Sequence, residues 1–555
     1  HCGFRRLVML IVLAFFASGC SGTGRLNIPD PMPDDQRDIP PPKKRKIYEE
    51  EDGFDQQVAR QFEQAFDFSR HIRWLTGRPK QAYNVDAFDE VANSSWFTNR
   101  NGRRPMTLEE IKRGPNTGDG PAILNGWTVV AAKPGGVTHG FTIEDSRGDR
   151  YLLKFDPQGY SELATGAEVV STKLFYAAGY NTPENYIVEF QPDILTLAEN
   201  VVIKDKSGKK RIMTRADLDN ILSRIARRPD GTVRAMASKI LEGKIVGPFR
   251  YYKTRKDDPN DIIPHEHRRE LRSVSVISAW LNNYDTKANN TLDVYVNESG
   301  RRYVKHYLID FGSTLGSRGN MPMPFWVGYE HTYDPAQVLK NTVGLGLYVP
   351  RWEKDREIEF ASIGRFDANN FRPDKYKFVT PNMAFENLTD RDGFWAAKIV
   401  MSFTEDQLRA AVESGQYTDP EAADYLVETL VARRDITGRY WFDKINPLDR
   451  FEIRNSTDGK QEFVCADLAV EFGLEDRGQS TYRFEFRTDG KPQGEPIEVE
   501  GTPRIAVPPF GDEVIEVRIR TRRGESRKWS KYVSAFIARD DNPAGLSVIA
   551  IERQE

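Results

Sequence analysis

Cysteine is almost missing from this chain: Cys2, Cys20 and Cys465 are the only three in 555 residues. Cys2 and Cys20 lie in a leader-like stretch, so Cys465 has no partner and neither a disulfide framework nor a disulfide-linked partner is expected. Its apolar neighbours in EFVCADLAV suit a small buried hydrophobe. Histidine is scarce too, with seven residues, and no Cys/His spacing suggests zinc. Net charge carries no signal: 79 basic against 82 acidic residues leave −3. That removes any chain-wide reason to expect a nucleic-acid partner. No repeat with a solenoid period is visible. No apolar run reaches the ~20 residues that span a bilayer comfortably. What is present, 39% hydrophobic and 11% aromatic residues, is ordinary globular composition, with room for roughly three to four domains of ~150 residues.

The N-terminus is more specific. FRRLVMLIVLAFFASGC has Arg5 and Arg6, an apolar run from Leu7 to Phe16, then small residues before Cys20. That is the pattern of a secretory signal. ASGC resembles the lipobox of bacterial lipoproteins. The resemblance implies cleavage before Cys20, lipidation of its thiol and a lipid anchor in the cell envelope, at the outer membrane and facing the periplasm or the outside. A plain secretion signal and a true anchor helix stay open. Residues 1–19 are then a signal peptide and 20–52 a lipidated tether. The proline and charge of SGTGRLNIPDPMPDDQRDIPPPKKRKIYEE cannot bury a core. Its basic run is either solvated or in contact with a membrane surface.

Residues 53–120 read as a helical extension. Phe54, Val58, Phe62 and Phe66 recur at helical spacing, which predicts a face packed on the next domain. From 121 to 245 strands dominate: GWTVVAAKP, FTIEDSRG, DRYLLKFDP, NYIVEF and ENVVIKD, with a helix in SELATGAEVVSTKLFYAAGY closed by Gly179. From 246 to 445 helices take over, after a mixed-charge aromatic loop, FRYYKTRKDDPND, read as exposed or gating. Arg268–Asn282 is the strongest helix, and Thr404 with Gln407 and Asp419 are helix-start signals. Residues 446–555 alternate polar and apolar between turns, which predicts an antiparallel β-sandwich.

Four features carry chemistry. Lys154 sits in the strand YLLKFDP. Glu168 follows at the start of a helix. AWLNNYDTKANN places Asp285, Lys287 and Asn290 as D-x-K-x-x-N after the strong helix. LIDFG then brings Asp310, at the end of a hairpin whose first arm follows Asn290. Taken singly, each has a bland reading: a surface lysine, a first-turn acid favoured by the helix dipole, and aspartates that cap turns.

Together, in this order, they resemble the protein-kinase-like superfamily over about Gly126–Phe442. The resemblance is to its atypical branches: HipA-type, phosphoinositide and secretory-pathway kinases. It implies an α+β, two-lobed kinase-like fold (121–245 and 246–445), flanked by the helical extension and the β-sandwich. It implies Lys154, set by Glu168, on nucleotide α/β-phosphates, and Asp285 as the group that orients or deprotonates an acceptor hydroxyl. Lys287 would then reach the transferred phosphoryl, with Asn290 and Asp310 on the metal. ATP with Mg²⁺, or Mn²⁺ in its place, is the implied cofactor set. The His-Arg that usually precedes the catalytic Asp is replaced by Asn283-Tyr284, and no Ala-Pro-Glu closes a segment after Gly312. The glycine loop departs too: KPGGVTHGFTI offers Gly135, Gly136 and Gly140 as a phosphate cradle, without G-x-G-x-x-G, and a hairpin turn explains them equally. His265 and His267, at i,i+2, do not share a helix face. Trp326 and Trp352 are core residues or line an acceptor site. The expected activity is transfer of the γ-phosphoryl group of a nucleoside triphosphate to an unknown acceptor, protein or small molecule. Scarce ATP outside the cytoplasm keeps a second class open, a pseudokinase-fold scaffold that binds a ligand or protein. Transfer of a nucleotidyl group on the same fold is a third.

Overall fold

The computed structural model describes residues 28–133, 140–204, 209–332, 334, 342–343, 352, 358–456, 460–526, 528–540 and 545–555. Cys20, Gly135 and Gly136, on which a lipid anchor and a phosphate cradle are expected, lie outside the described residues. The chain divides into two compact units. Met32–Val85 and Glu90–Ile445 make up the larger, and Asp86–Asp89 with Asn446–Gln554 the body of the smaller.

The larger unit opens with a docked strap where the composition predicts a free tether. Ile39 N–H donates to Arg302 O (2.9 Å) and Arg45 N–H to Val246 O (2.8 Å). Asp35 accepts from Ser95 N–H and Oγ–H, and Ile39 and Ile47 are buried. Arg45 reaches Asp293 (3.1 Å), whose buried carboxylate also meets Arg255 (2.9 Å) and His306 (2.7 Å). Composition misses this docking because backbone groups and ion pairs make it, with few apolar side chains. Gly247 permits the close approach: at φ +106° its missing Cβ would stand 2.0 Å from Arg45 O. Arg255 belongs to the loop read as exposed or gating; with Tyr251, Asp258 and Asp261 it is buried.

Glu49–Phe54, the π-helical Asp55–Ala59 and Arg60–Ala65 run on as one helical segment, α1. Phe68–Leu75, capped by Asp67 on Arg70 N–H, is α2. The helix forms where the spacing places it, but its aromatic face is turned the other way. Phe54, Phe62 and Phe66 are exposed, while Gln56 and Gln64 are buried. Gln61 and Gln64 donate to Glu386 at 2.9 and 2.7 Å. Periodicity specifies a stripe, not what the stripe meets; here the body offers a carboxylate, and the polar side turns in.

The next layer is a six-stranded sheet of β1 (Trp127–Ala132), β2 (Gly140–Glu144), β3 (Arg150–Phe155), β4 (Asn185–Phe190), β5 (Leu195–Leu197) and β8 (Val233–Lys239). Its order is β4-β8-β3-β2-β1-β5, antiparallel except for β1 with β5. β6 (Val202–Lys204) and β7 (Lys210–Ile212) pair as a separate ribbon. Tyr151, Leu153 and Phe155 of β3 point into a core with Trp127, Phe141 and Leu218. The two-residue strand period sends Leu152 and Lys154 to the opposite face. Helix α3 (Leu163–Ala178) and helix α4 (Arg215–Leu222) follow β3 and β7; α4 contributes Leu218 and Leu222 to that core. α3 ends at Gly179, whose φ of +121° and nearness to Phe97 exclude a side chain.

β9 (Lys244–Gly247), β10 (Thr291–Glu298) and β11 (Arg301–Leu308) form an antiparallel sheet ordered β11-β10-β9. The chain continues with α5 (Arg269–Trp280), before β10, and α6 (Asp390–Met401), α7 (Glu405–Glu413) and α8 (Pro420–Lys444), after β11. Every residue of α5 is buried. Its apolar side joins Trp395, Phe403 and Leu426 in the largest core, to which α3 also contributes Val170, Leu174 and Phe175. Its charged side meets Asp392: Arg269 at 3.0 Å and Arg272 at 2.8 Å, all three side chains fully buried. Thr389 with Asp392 and Thr404 with Gln407 close capping boxes, and Asp419 caps α8.

In the smaller unit, β12 (Leu448–Asn455), β13 (Gln461–Asp467) and β17 (Arg504–Ala506) form one antiparallel sheet. β14 (Ser480–Thr488), β15 (Lys491–Pro492), β16 (Ile497–Glu500), β18 (Ile515–Arg523), β19 (Val533–Arg539) and β20 (Leu546–Arg553) form another. Leu448 and Phe463 of the first share a cluster with Tyr482, Val517 and Ile537 of the second. The fold is thus mixed α+β with several sheets. Among the described residues, no helix is long and apolar enough to cross a membrane.

Asp392→Ala leaves two guanidinium groups buried without their shared carboxylate. The expected loss is about 3–5 kcal/mol of stability, the usual cost of removing one partner from a buried ion pair, read as a lower midpoint in chemical denaturation. A loss under about 1 kcal/mol would show that water reaches the pair.

Candidate functional site

The sheet and the helices meet at Lys154. Its Nζ donates to Glu168 Oε1 and Oε2 at 2.7 and 2.9 Å and to Asp310 Oδ1 at 2.7 Å. β3 supplies the lysine, α3 the glutamate and the turn after β11 the aspartate. Burial works against the lysine's charge, but Asp310 and Glu168 outweigh it and raise its pKa. Partial desolvation also pushes Asp310 up; Lys154, then Lys133 and Lys287, hold it below the ordinary carboxylate value.

Local structure explains each placement. Gly140 faces Lys154 directly across β2 and β3. A Cβ there would lie 2.3 Å from Leu153 O and 3.3 Å from the Lys133 side chain, so the strands need a glycine. Asp156, two residues beyond Lys154, accepts from Glu162, Ala164 and Thr165 N–H and from Thr165 Oγ–H. It ties the end of β3 to the open N–H groups of α3, and so sets the lysine against the glutamate. Asp310 lies at φ +62°, a left-handed conformation that costs a non-glycine residue energy. Phe311 stacks on Phe175 of α3 with centroids 4.8 Å apart, and Ser171 bonds Thr314 at 2.7 Å. The helix that carries Glu168 therefore also grips the turn that carries Asp310.

The loop after α5 brings the remaining groups. Asn290 donates to Asp285 O at 2.6 Å, and Ile309 N–H to Asn290 O at 3.0 Å. Asn290 is thereby braced one residue from Asp310. Asp285 Oδ1 is buried without a hydrogen bond, with Lys287 Nζ 3.4 Å away. Burial raises the Asp285 pKa; Lys287 lowers it and Asp310 raises it again, so the two aspartates feel each other's field. Lys287 is also held by Glu49 of α1 at 2.6 Å.

The structure thus brings Lys154, Glu168, Asp285, Lys287, Asn290, Asp310 and Gly140 to one region. Three further residues belong there. Lys133, at the end of β1, acts electrostatically on Lys154, Asp310 and Glu168; burial, then Lys154, lower its pKa. Its only sequence signal is a basic residue just before a glycine turn. Asp156 and Glu49 carry no motif; they are found only by what they touch. Other candidates are engaged elsewhere. His265 bonds Asp261 (2.8 Å) and His267 bonds Arg272 (2.9 Å). Trp326 packs edge-on against Tyr284, and Trp352 donates to Glu330. Among the described residues no group of three His, Cys, Asp or Glu is placed to hold a metal. Asp310 and Asn290 offer a carboxylate and an amide oxygen, donors of the kind a hard divalent ion takes.

No family model and no curated relative matches the chain. Among the solved structures it is similar to are the following. A Helicobacter pylori proinflammatory kinase, CtkA, matches at 13% identity over 56% of this chain and 94% of that one, with a TM-score of 0.29. The Golgi casein kinase matches at 9% identity, and at 10% with Mn/ADP bound; both cover 69% of this chain and 88% of the other, with TM-scores of 0.28. Likenesses this distant assign no residue of this chain a role.

Lys154→Met removes the cation between Glu168 and Asp310. Glu168 is already raised by burial, with Lys154 pulling it down and Asp310 pushing it up; without the lysine it rises further. A carboxyl raised in the folded state gives stability that is intact below its unfolded pKa and lost as pH climbs through the folded value. The variant's deficit, about 3 kcal/mol at neutral pH, should shrink in urea titrations as pH is lowered toward the ordinary carboxylate range. A pH-independent deficit contradicts this.

Proposed function

We propose that the chain is a phosphotransferase that moves the γ-phosphoryl group of a nucleoside triphosphate, ATP by preference, to a hydroxyl acceptor. The carrying observation is Lys154, bonded at once to Glu168 and Asp310, with Asp285 and Asn290 braced beside them. In this reading the β4-to-β5 sheet with α3 and the α5–α8 assembly are the two lobes of a kinase-like fold, and the smaller unit is a β-sandwich. The location proposed is the cell envelope, through a lipid on Cys20.

The residues suit the reaction. Lys154, and Lys133 beside it, offset the charge of the nucleotide phosphates. The acceptor oxygen attacks Pγ, the bond from Pγ to the β,γ-bridging oxygen breaks, and the acceptor proton goes to Oδ1 of Asp285, which accepts no hydrogen bond in the structure. A raised pKa makes that carboxylate a better base than an exposed one. Lys287 faces the transferred group once Glu49 releases it. Asn290 has spent its N–H on Asp285 O, which leaves its amide oxygen to a cation. Asp310 has given Oδ1 to Lys154 and keeps a second oxygen on a side chain 45% exposed. These two would hold Mg²⁺ or Mn²⁺, which when bound neutralises β- and γ-phosphate charge. A cavity of about 830 Å³ lined by Asn282, Tyr329, Arg365, Phe371, Tyr376 and Arg433 gives an acceptor room. Tyr376 bonds Asn282 in its wall at 2.7 Å, three residues before Asp285.

Nucleotide with Mg²⁺ should raise the melting temperature of the wild type and leave Asp310→Ala unmoved. Asp285→Asn should bind nucleotide normally and transfer about 10²–10⁴-fold more slowly. The wild-type rate should fall as pH drops through the raised Asp285 value. Unchanged nucleotide affinity in Asp310→Ala would sink the site. No binding of labelled ATP by the wild type would leave the scaffold reading standing.

A further inference from the structure

The outward face of α1 and α2 has no role in the site, and it is unusual. Phe66, Phe68, Ile72, Trp74 and Leu75 are 61–78% exposed, within ten residues of sequence. On α2, Phe68, Ile72 and Leu75 share one stripe at helical spacing, and Trp74, also exposed, projects between that stripe and Arg70, nearer the arginine. Arg70 and Arg73 take the opposite side. Soluble surfaces rarely leave so many large apolar side chains contiguous without a partner. Nor can this helix roll over to hide them. Its inner side is pinned by Arg70 on Glu386 O (3.2 Å), and α1 by Gln61 and Gln64 on the Glu386 carboxylate.

We propose that this face is a docking surface for an anionic phospholipid bilayer, with α2 lying in the interface plane. Charge favours that occupant. From Asp67 to Lys80 the chain carries Arg70, Arg73, Arg78 and Lys80 against one acidic residue, Asp67, which Arg73 meets at 3.8 Å; Arg78 and Lys80 are exposed. A short helix with Phe, Ile and Leu on one side and arginine on the other is the composition of an interfacial helix. Trp74, exposed between the stripe and Arg70, suits the headgroup level. Reach supports it as well. The strap is fixed to the body from Asp35 onward, so Cys20 is joined to it by at most ~50 Å of extended chain. A lipid on Cys20 would keep the body within that distance of the membrane. The inference leans on the envelope reading for this tether length alone; the exposed face and its charge stand without it. α1 also starts with Glu49 on Lys287, so the docked helices are linked to the catalytic loop.

The test compares the full-length chain with its Trp74→Phe variant, reconstituted with vesicles of phosphatidylcholine alone or with 30% phosphatidylglycerol (about one anionic lipid in three). Each set also carries brominated acyl chains. The difference in fluorescence between the two proteins isolates Trp74. It should shift to the blue and be quenched by bromolipid in anionic vesicles. Quenching should fall severalfold in neutral ones, and fall likewise for Arg73→Glu/Arg78→Glu in anionic ones. Absence of quenching overturns the proposal. So does a self-association that Phe68→Ser/Ile72→Ser/Leu75→Ser abolishes while Trp74 stays out of the lipid, which would make a second copy the occupant. The readout needs no turnover, so failure of phosphoryl transfer and failure of docking are separately visible. A mass measurement on Cys20 reports the anchor independently.

Discussion

A buried ammonium group is tolerable only when opposite charge is brought to it, and Lys154 organises the larger unit around that need. One of its counter-charges comes from the helix that follows its own strand, the other from a turn more than a hundred residues on. Neither can move without exposing the lysine's deficit. Hence the surrounding devices: Asp156 clamps strand to helix, Phe311 stacks on Phe175, and Asp310 accepts a left-handed backbone to deliver its oxygen. Local strain at Asp310 and close packing at Gly140 are tolerated because the cluster over-determines them.

The same rule recurs away from Lys154. Asp293 gathers Arg45, Arg255 and His306, and Asp392 gathers Arg269 and Arg272. The first nails the N-terminal strap and an otherwise irregular loop to the β10–β11 hairpin. The second aligns α5 with α6, so the loop leaving α5 presents Asp285 from a rigid base. Charge burial, more than apolar area, thus decides where the non-repetitive segments lie. It also explains α1, where a glutamate on the body draws glutamines inward and leaves phenylalanines outside.

Strand and helix positions were largely legible, because alternation and helical spacing are local consequences of backbone geometry. GWTVVAAKP, DRYLLKFDP and the helix closed by Gly179 lie where their patterns place them. So were the types and order of the principal site residues, since an acid, a lysine and an asparagine at fixed spacing after a helix leave little choice of side. Lys133, Asp156 and Glu49 were not legible, since each acts through a partner distant in sequence. The docked strap and the buried FRYYKTRKDDPND loop were misread for a common reason: composition measures the capacity to bury apolar area, and both segments are held by ions and backbone groups.

By itself, then, the sequence determined the periodic elements, their boundaries at glycines and caps, and the chemical types available for a site. Those depend on interactions within a few residues. Only the tertiary structure decided which face of each element turns inward and which distant carboxylate meets which cation. Both depend on the desolvation of charge by groups that the chain brings together only when it folds.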